Sequence, residues 1–182
     1  MNLPGNDLLL LAGKIIAILL QAIMALGAAA VAIAVPFVTI LTGDWVEGFA
    51  DGSGIPVGQV PALPLVGVLL VTLAILVAMF FFFGKLRAII DTVGAGDPFA
   101  PANSQRLNMM AWLLLAAQLL TWPLIELTIY LADLANELEG VSIAAELNGF
   151  DITGVLMVLI LFILARVFRH GAAMREDLEG TV

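Results

Sequence analysis

Glu126 is an acidic side chain within a strongly apolar stretch of the chain, in the run WPLIE at residues 122–126. A charged side chain at the centre of a bilayer costs about 3 kcal/mol by insertion scales, and such residues often have a function. Pro123 should loosen a helix here and free a backbone carbonyl. With Gln118 and Thr121 one or two turns away, Glu126 is predicted to form a small intramembrane polar site. The alternative is a protonated or outward-directed Glu126 at a helix kink.

Other candidate reactive residues match known chemistry only in part. Residues 94–97 (GAGD) have the GxGD pattern of intramembrane aspartyl proteases, but that reaction needs a second carboxylate to share a proton. No other aspartate lies within an apolar stretch, and two glycines beside Asp-Pro are typical of a turn. His170 is the sole histidine and there is no cysteine, so Ser–His, HExxH and thiol catalysis lack essential groups. We therefore predict no enzyme activity, with no catalytic, cofactor-binding or metal-binding residues.

The elements that would position these residues are transmembrane helices. The chain has 182 residues, of which 62% are hydrophobic and 12% are charged, whereas soluble domains are about half apolar. Crossing a bilayer takes about 20 mostly apolar residues in a helix, and four stretches qualify: 8–35, 64–83, 109–132 and 152–168. We predict a single all-α domain over 1–182, a four-transmembrane-helix bundle.

The basic residues predict the orientation, because lysine and arginine accumulate on the cytoplasmic side of membrane proteins. The loops 36–63 and 133–151 contain none, and their acidic residues face outside either as a solvated surface or as a site for cations. We therefore predict a multi-pass protein of the plasma membrane with both termini in the cytoplasm. All seven basic residues then lie on the inner side: Lys14, Lys85, Arg87, Arg106, Arg166, Arg169 and Arg175.

Two spans are predicted to continue into the cytoplasm as amphipathic helices. The second carries apolar residues at helical spacing over 86–93 and an Arg87–Asp91 pair at i,i+4. The fourth is similar, with an Arg175–Glu179 pair. Either the two apolar stripes pack on each other, or one of them receives a partner helix. The stripe on the fourth span consists of Val167, Gly171, Met174 and Leu178.

The outer loops offer one further pattern. Residues 141–147 alternate apolar and polar side chains, and Asn148-Gly149 follows as a tight-turn pair before Phe150-Asp151-Ile152. This pattern is compatible with a small extracellular β-hairpin, which part of 36–63 would join.

The loop between the second and third spans is predicted to form an elbow that returns the chain to the membrane. Gly94 and Gly96 should stop the second helix, and Pro101 can occupy the first position of the third. Phe99 is predicted to plug the membrane interface and Asp97 to cap a solvated turn. The residues of this cytoplasmic elbow are Gly96, Asp97, Pro98, Phe99, Asn103 and Arg106, with Arg106 facing the inner headgroups.

Two segments resemble a known family. GDPFAPANSQRL at 96–107 and LARVFRHGAAMREDLEGTV at 164–182 are similar to the DUF2975 family of small bacterial four-span membrane proteins, a domain of unknown function. Ala102, Gln105 and Asn108 stand where relatives tend to carry a Glu and extra basic residues. The matching positions are Asp97, Pro98, Phe99, Asn103, Arg106, Leu107, Arg166 and Arg169.

The resemblance implies a role by association only, because genes of this family commonly lie beside a small helix-turn-helix transcription regulator. The leading hypothesis is a non-enzymatic membrane regulator or anchor for such a cytoplasmic partner, with no direct contact to nucleic acid. The alternative is a small membrane transporter or channel subunit, and a homo-oligomer in the lipid bilayer also stays open. The tail residues that would present the partner surface are Arg166, Arg169, Met174, Arg175 and Leu178.

Overall fold

The computed structural model describes residues 4–41, 62–139 and 152–179. These residues form four long helices: α1 Pro4–Leu41, α2 Ala62–Gly94, α3 Pro101–Glu139 and α4 Ile152–Glu179. The described ranges contain no strand. The predicted hairpin falls on 141–151, outside the described residues, and the loop 36–63 that was to join it is helical up to Leu41 and again from Ala62.

Each of these helices contains a stretch long and apolar enough to cross a membrane. The shortest has 28 residues, which corresponds to about 42 Å at the α-helical rise. The hydrocarbon core of a bilayer is only about 30 Å thick. By length and composition the chain is therefore a multi-pass membrane protein whose helices are longer than the hydrocarbon core requires.

The helices also extend beyond the predicted spans 8–35, 64–83, 109–132 and 152–168. The α1 helix continues through Pro36 to Leu41, and α4 runs without a break to Glu179. Hydropathy ends a span where polar residues or proline begin, whereas backbone hydrogen bonding can continue past them. Pro36 lacks only its own N–H, and Thr39 Oγ1 donates to the Pro36 carbonyl at 2.9 Å.

The described residues group into two compact units. The first is drawn from Met1–Ala25, Val77–Gln118 and Asp151–Val182, and therefore contains parts of all four helices. The small side chains of Ala111 and Ala165 are 0% and 1% exposed, which lets α3 and α4 approach closely. The core of this unit is a cluster of Leu107, Met110, Ala111, Leu161 and Ala165.

The second unit is drawn from Leu26–Leu76 and Leu119–Phe150. Glycines let its helices approach each other. A Cβ on Gly27 would lie 3.4 Å from Leu76 Cδ1, and one on Gly67 would lie 3.2 Å from Leu127 Cδ1. Small residues at helix contacts are typical of packing inside membranes, where close approach replaces a hydrophobic driving force.

The two predicted apolar stripes have different surroundings. Leu86 and Ile89 of α2 pack against the core cluster of the first unit. On α4, Val167 and Met174 are 54% and 53% exposed. The α2 stripe is thus part of the core, while two members of the α4 stripe lie open.

Candidate functional site

The elbow, here residues 94–106, begins with a glycine cap on α2. Gly96 has φ +84°, a conformation that glycine adopts without a steric penalty. The Asp97 N–H donates to the Thr92 carbonyl and the Gly96 N–H donates to the Val93 carbonyl, both at 3.0 Å. These are the two bonds of a Schellman motif, which ends a helix and turns the chain away from its axis. Gly94 remains the last residue of α2.

Asn103 ties the end of α2 to the start of α3. Its side chain is 0% exposed, two residues after Pro101 opens the helix. Asn103 Nδ2 donates to Thr92 Oγ1 at 2.8 Å and to the Pro98 carbonyl at 3.0 Å. The Thr92 hydroxyl in turn donates to the Ile89 carbonyl at 2.8 Å. A buried amide that is satisfied in this way fixes one geometry for the turn, because any other would leave a polar group without a partner.

Arg106 completes this network. Its Nη1 donates to Asn103 Oδ1 at 2.8 Å and to the Ala88 carbonyl at 3.0 Å. The elbow turns α3 back against the last turns of α2, so a main-chain acceptor lies within reach of the guanidinium. This nitrogen therefore holds two helices together, and the predicted headgroup contact of Arg106 stays a prediction.

Asp97 contacts the end of α4. Its carboxylate accepts a hydrogen bond from Arg175 and forms an ion pair with it. The Asp97 side chain is 42% exposed and the Arg175 side chain is 52% exposed. The predicted role of Asp97 as the cap of a solvated turn is therefore incomplete. The partner predicted for Arg175 was Glu179, whose side chain lies outside the described part of α4. Spacing along one helix reveals i,i+4 pairs, but it cannot show which other helix lies alongside.

Phe99 also contacts α4. Its ring centroid lies 5.4 Å from that of Phe168, with the planes tilted by 41°. A Cβ on Gly171 would lie 2.7 Å from Phe99 Cδ1, so only glycine allows the ring this position. Phe99 packs against this helix while remaining 42% exposed, and its predicted position at the membrane interface stays a prediction. The sequence signal for this contact was a glycine in the interior of an otherwise regular helix.

A second ion pair joins α1 to α2. Lys14 Nζ lies 2.6 Å from Asp91 Oδ1, and the two side chains are 40% and 44% exposed. The sequence predicted Arg87 as the partner of Asp91, on the same helix. At this level Gly13 of α1 faces Ile90 of α2, where an added Cβ would lie 3.6 Å from Ile90 Cδ1, so the two helices are close enough for the lysine to reach the carboxylate.

The predicted intramembrane polar site receives no direct support. Glu126 is exposed and makes no hydrogen bond or ion pair among the described residues. Gln118 and Thr121 are both half-buried. Gln118 belongs to the first unit and the other two residues to the second. A polar site at Glu126 stays a prediction.

Two open grooves flank α4 in the first unit. The α3–α4 groove has a volume of about 740 Å³ and is lined by Ser104, Gln105 and Asn108 of α3 and by Arg169 and Glu176 of α4, among others. The second, here called the Phe99 groove, has a volume of about 860 Å³. Its lining residues are Phe99, Arg166, Val167, Arg169, His170, Gly171, Ala173 and Met174.

These contacts define the candidate site, here called the platform: the elbow together with α4 from Arg166 to Asp177. Within the described residues, no three His, Cys, Asp or Glu side chains are grouped so that they could hold a metal ion. The platform offers exposed arginines, exposed carboxylates and apolar side chains on a backbone fixed by buried hydrogen bonds. Such a surface suits recognition of another molecule. Of the predicted tail residues, Arg166, Arg169, Met174 and Arg175 are exposed, and the Leu178 side chain lies outside the described part.

Comparison with known protein families identifies the family of the chain. The model of a family described as "Protein of unknown function (DUF2975)" matches residues 30–182. This range includes all of α2, α3 and α4, and therefore the whole platform. It confirms the resemblance predicted from residues 96–107 and 164–182. No curated protein matches the chain, and no solved structure matches it either.

Proposed function

The chain belongs to the DUF2975 family of proteins of unknown function, and we propose that it is a non-enzymatic membrane protein that anchors or regulates a cytoplasmic protein partner through the platform. The observation that carries this proposal is the attachment of α4 to the elbow. Phe99 packs on Phe168 and Gly171, and Asp97 pairs with Arg175. The last turns of α4 therefore form part of a preformed surface.

Preorganisation favours this role. A surface that is already ordered loses less conformational entropy when a partner binds, so more of the contact energy appears as affinity. Asn103 and Arg106 fix the elbow through buried or half-buried hydrogen bonds to the end of α2. A movement of the spanning helices would accordingly displace the platform as a body, and this would link an event in the membrane to the partner.

The α3–α4 groove indicates the kind of partner. It presents Gln105, Asn108, Arg169 and Glu176 together with the apolar surface of Met109 and Trp112. Mixed charge beside an apolar floor suits an amphipathic helix, which would lay its apolar side into the groove and pair its own charges at the rim. A helical DNA-binding regulator, the partner that gene association implies for this family, would have such helices.

The distribution of basic residues supports a cytoplasmic location for the platform. All seven lysines and arginines belong to the first unit, and the second unit has none. Because positive residues accumulate on the cytoplasmic side, the unit that carries the platform is the one expected there.

The proposal predicts site-specific crosslinking in cells that produce the full chain. A photo-crosslinking amino acid placed at Gln105 or at Ala173 should give the same discrete protein adduct. A matched position is Ile163, which is on α4 and 61% exposed. It lies within the predicted span 152–168, whereas Ala173 lies outside it, and it should give lipid adducts only. The same protein adduct at Ile163, or an adduct with the mass of two chains, would overturn the proposal.

Removing the end of α4 provides the second arm of this test. Deleting residues 174–182 removes the Arg175 ion pair but leaves Phe99, Phe168, Gly171 and the core cluster in place. An exposed ion pair contributes about 0–1 kcal/mol, so the shortened protein should insert and fold while the adduct at Gln105 disappears. If folded protein does not accumulate, Glu176→Lys replaces the deletion, since it reverses one exposed charge in the groove. An unchanged adduct at Gln105 in whichever of the two variants folds would contradict the proposal.

A further inference from the structure

The Phe99 groove differs from the α3–α4 groove in its charge. It is lined by Arg166, Arg169 and His170, and no carboxylate is among its lining residues. Their spacing of i, i+3 and i+4 places the three basic side chains on one side of α4. The Phe99 ring also lines the groove and is held in place by its contact with Phe168. The groove therefore concentrates positive charge on an apolar floor.

Arg166 and Arg169 are exposed and, among the described residues, neither makes an ion pair or a hydrogen bond. Three of the five other lysines and arginines of the first unit are engaged: Arg175 with Asp97, Arg106 with Asn103, and Lys14 with Asp91. Two like charges one turn apart on a helix repel each other. An anion between them would relieve that repulsion, and guanidinium groups bind phosphate through paired, charge-assisted hydrogen bonds.

The surface beside the groove is apolar and exposed. Val167 lies in the groove and is 54% exposed, and Ile163, one turn earlier on the same side of α4, is 61% exposed. Ile163 lies within the apolar stretch that is able to cross a membrane. A ligand that places a phosphate on the arginines would thus have hydrocarbon-compatible surface directly next to it.

From this combination we propose that the Phe99 groove is a binding site for one anionic phospholipid. The phosphate contacts Arg166 and Arg169, and an acyl chain lies along Val167 and Ile163. A soluble phosphate compound would use the arginines alone and leave the apolar surface uncovered. The site lies on the side of α4 that bears Phe99, and it shares Arg169 with the α3–α4 groove. Its test uses the purified protein without a partner, so it can fail or succeed independently of the proposed function.

Native mass spectrometry of the full-length protein in detergent tests this site. Titration with phosphatidylglycerol should give one saturable adduct, and phosphatidylcholine should bind at least about tenfold more weakly, because its net charge is zero. The double variant Arg166→Gln/Arg169→Gln should weaken phosphatidylglycerol binding by about tenfold or more. Both side chains are exposed, so the variant should stay folded, which its thermal unfolding curve will show.

The matched control is Lys85→Gln/Arg87→Gln, which removes two positive charges from α2 in the same unit but outside the groove. It should change phosphatidylglycerol binding by less than about twofold. An equal loss in both double variants would mean diffuse charge attraction and would overturn the proposal. Competition by soluble glycerol phosphate at the same concentration as the lipid would also overturn it, because the acyl chain would then contribute nothing.

Discussion

Asn103 shows how one side chain specifies the turn between two helices. It is a large polar group with 0% exposure in a chain that is otherwise mostly apolar. Burial of such a group is costly unless every donor and acceptor is used. Its amide reaches Thr92 on α2, the Pro98 carbonyl in the elbow and Arg106 on α3. The turn thus depends on one residue that contacts all three segments.

Gly96 and Gly94 allow a sharp test at this scale, because the two glycines differ in backbone conformation alone. Neither has an atom within 4 Å of an added Cβ, but only Gly96 has a positive φ. Gly96→Ala should lower the free energy of unfolding by about 1–2 kcal/mol, the cost of a left-handed conformation for an L-residue. Gly94→Ala, at the helical end of α2, should be neutral or stabilise by up to about 1 kcal/mol.

The measurement is the denaturant-induced unfolding of both variants in the same detergent. Equal destabilisation by the two substitutions would show that the helix does not end through the Gly96 cap. The elbow would then need another explanation for its geometry.

At the scale of elements, α4 is held to the elbow by a ring that fits over a glycine. Phe99 reaches α4 only because Gly171 has no side chain, and Phe168 supports the ring from the same helix. The contact is specific in shape, whereas the nearby Asp97–Arg175 pair is exposed and contributes little stability. The platform should therefore depend more on packing than on charge.

Gly171→Ala is expected to separate the elbow from α4. The new methyl group would lie 2.7 Å from Phe99 Cδ1, and overpacking of this kind costs about 1–3 kcal/mol. The double variant Gly171→Ala/Phe99→Leu should recover part of that loss, because the smaller side chain makes room for the methyl group. Thermal unfolding of the single and double variants measures the coupling. Strictly additive effects would show that the two residues do not touch.

The sequence predicted the helices better than the contacts between them. Apolar length is a local property, so the four spans and the continuation of α2 and α4 could be predicted from hydropathy and spacing. The carboxyl-terminal end of α1 could not be predicted in this way, since the helix continues past Pro36 to Leu41. The ion-pair partners of Asp91 and Asp97 could not be predicted either, because they lie on other helices. The end of α2 before Gly96 could be predicted from the sequence, since glycine and proline mark turns locally.

For the whole molecule, the first unit combines the positive charge, both grooves and the platform. The seven basic residues lie in this unit, so the positive-inside tendency favours the proposed cytoplasmic location of the platform. The partner proposed for the α3–α4 groove depends on that orientation. The proposed link between the spanning helices and this partner depends on it as well. A platform on the outer side could not meet a cytoplasmic protein.

Cysteine labelling on intact cells tests this orientation directly, because the native chain has no cysteine. Ala173 is exposed and lines both grooves, while Ser53 lies in the predicted outer loop, outside the described residues. The proposed orientation predicts that Ser53→Cys reacts with a membrane-impermeant maleimide on intact cells and that Ala173→Cys reacts only after permeabilisation. Labelling of Ala173→Cys on intact cells, with Ser53→Cys protected, would contradict the orientation and the proposed function with it.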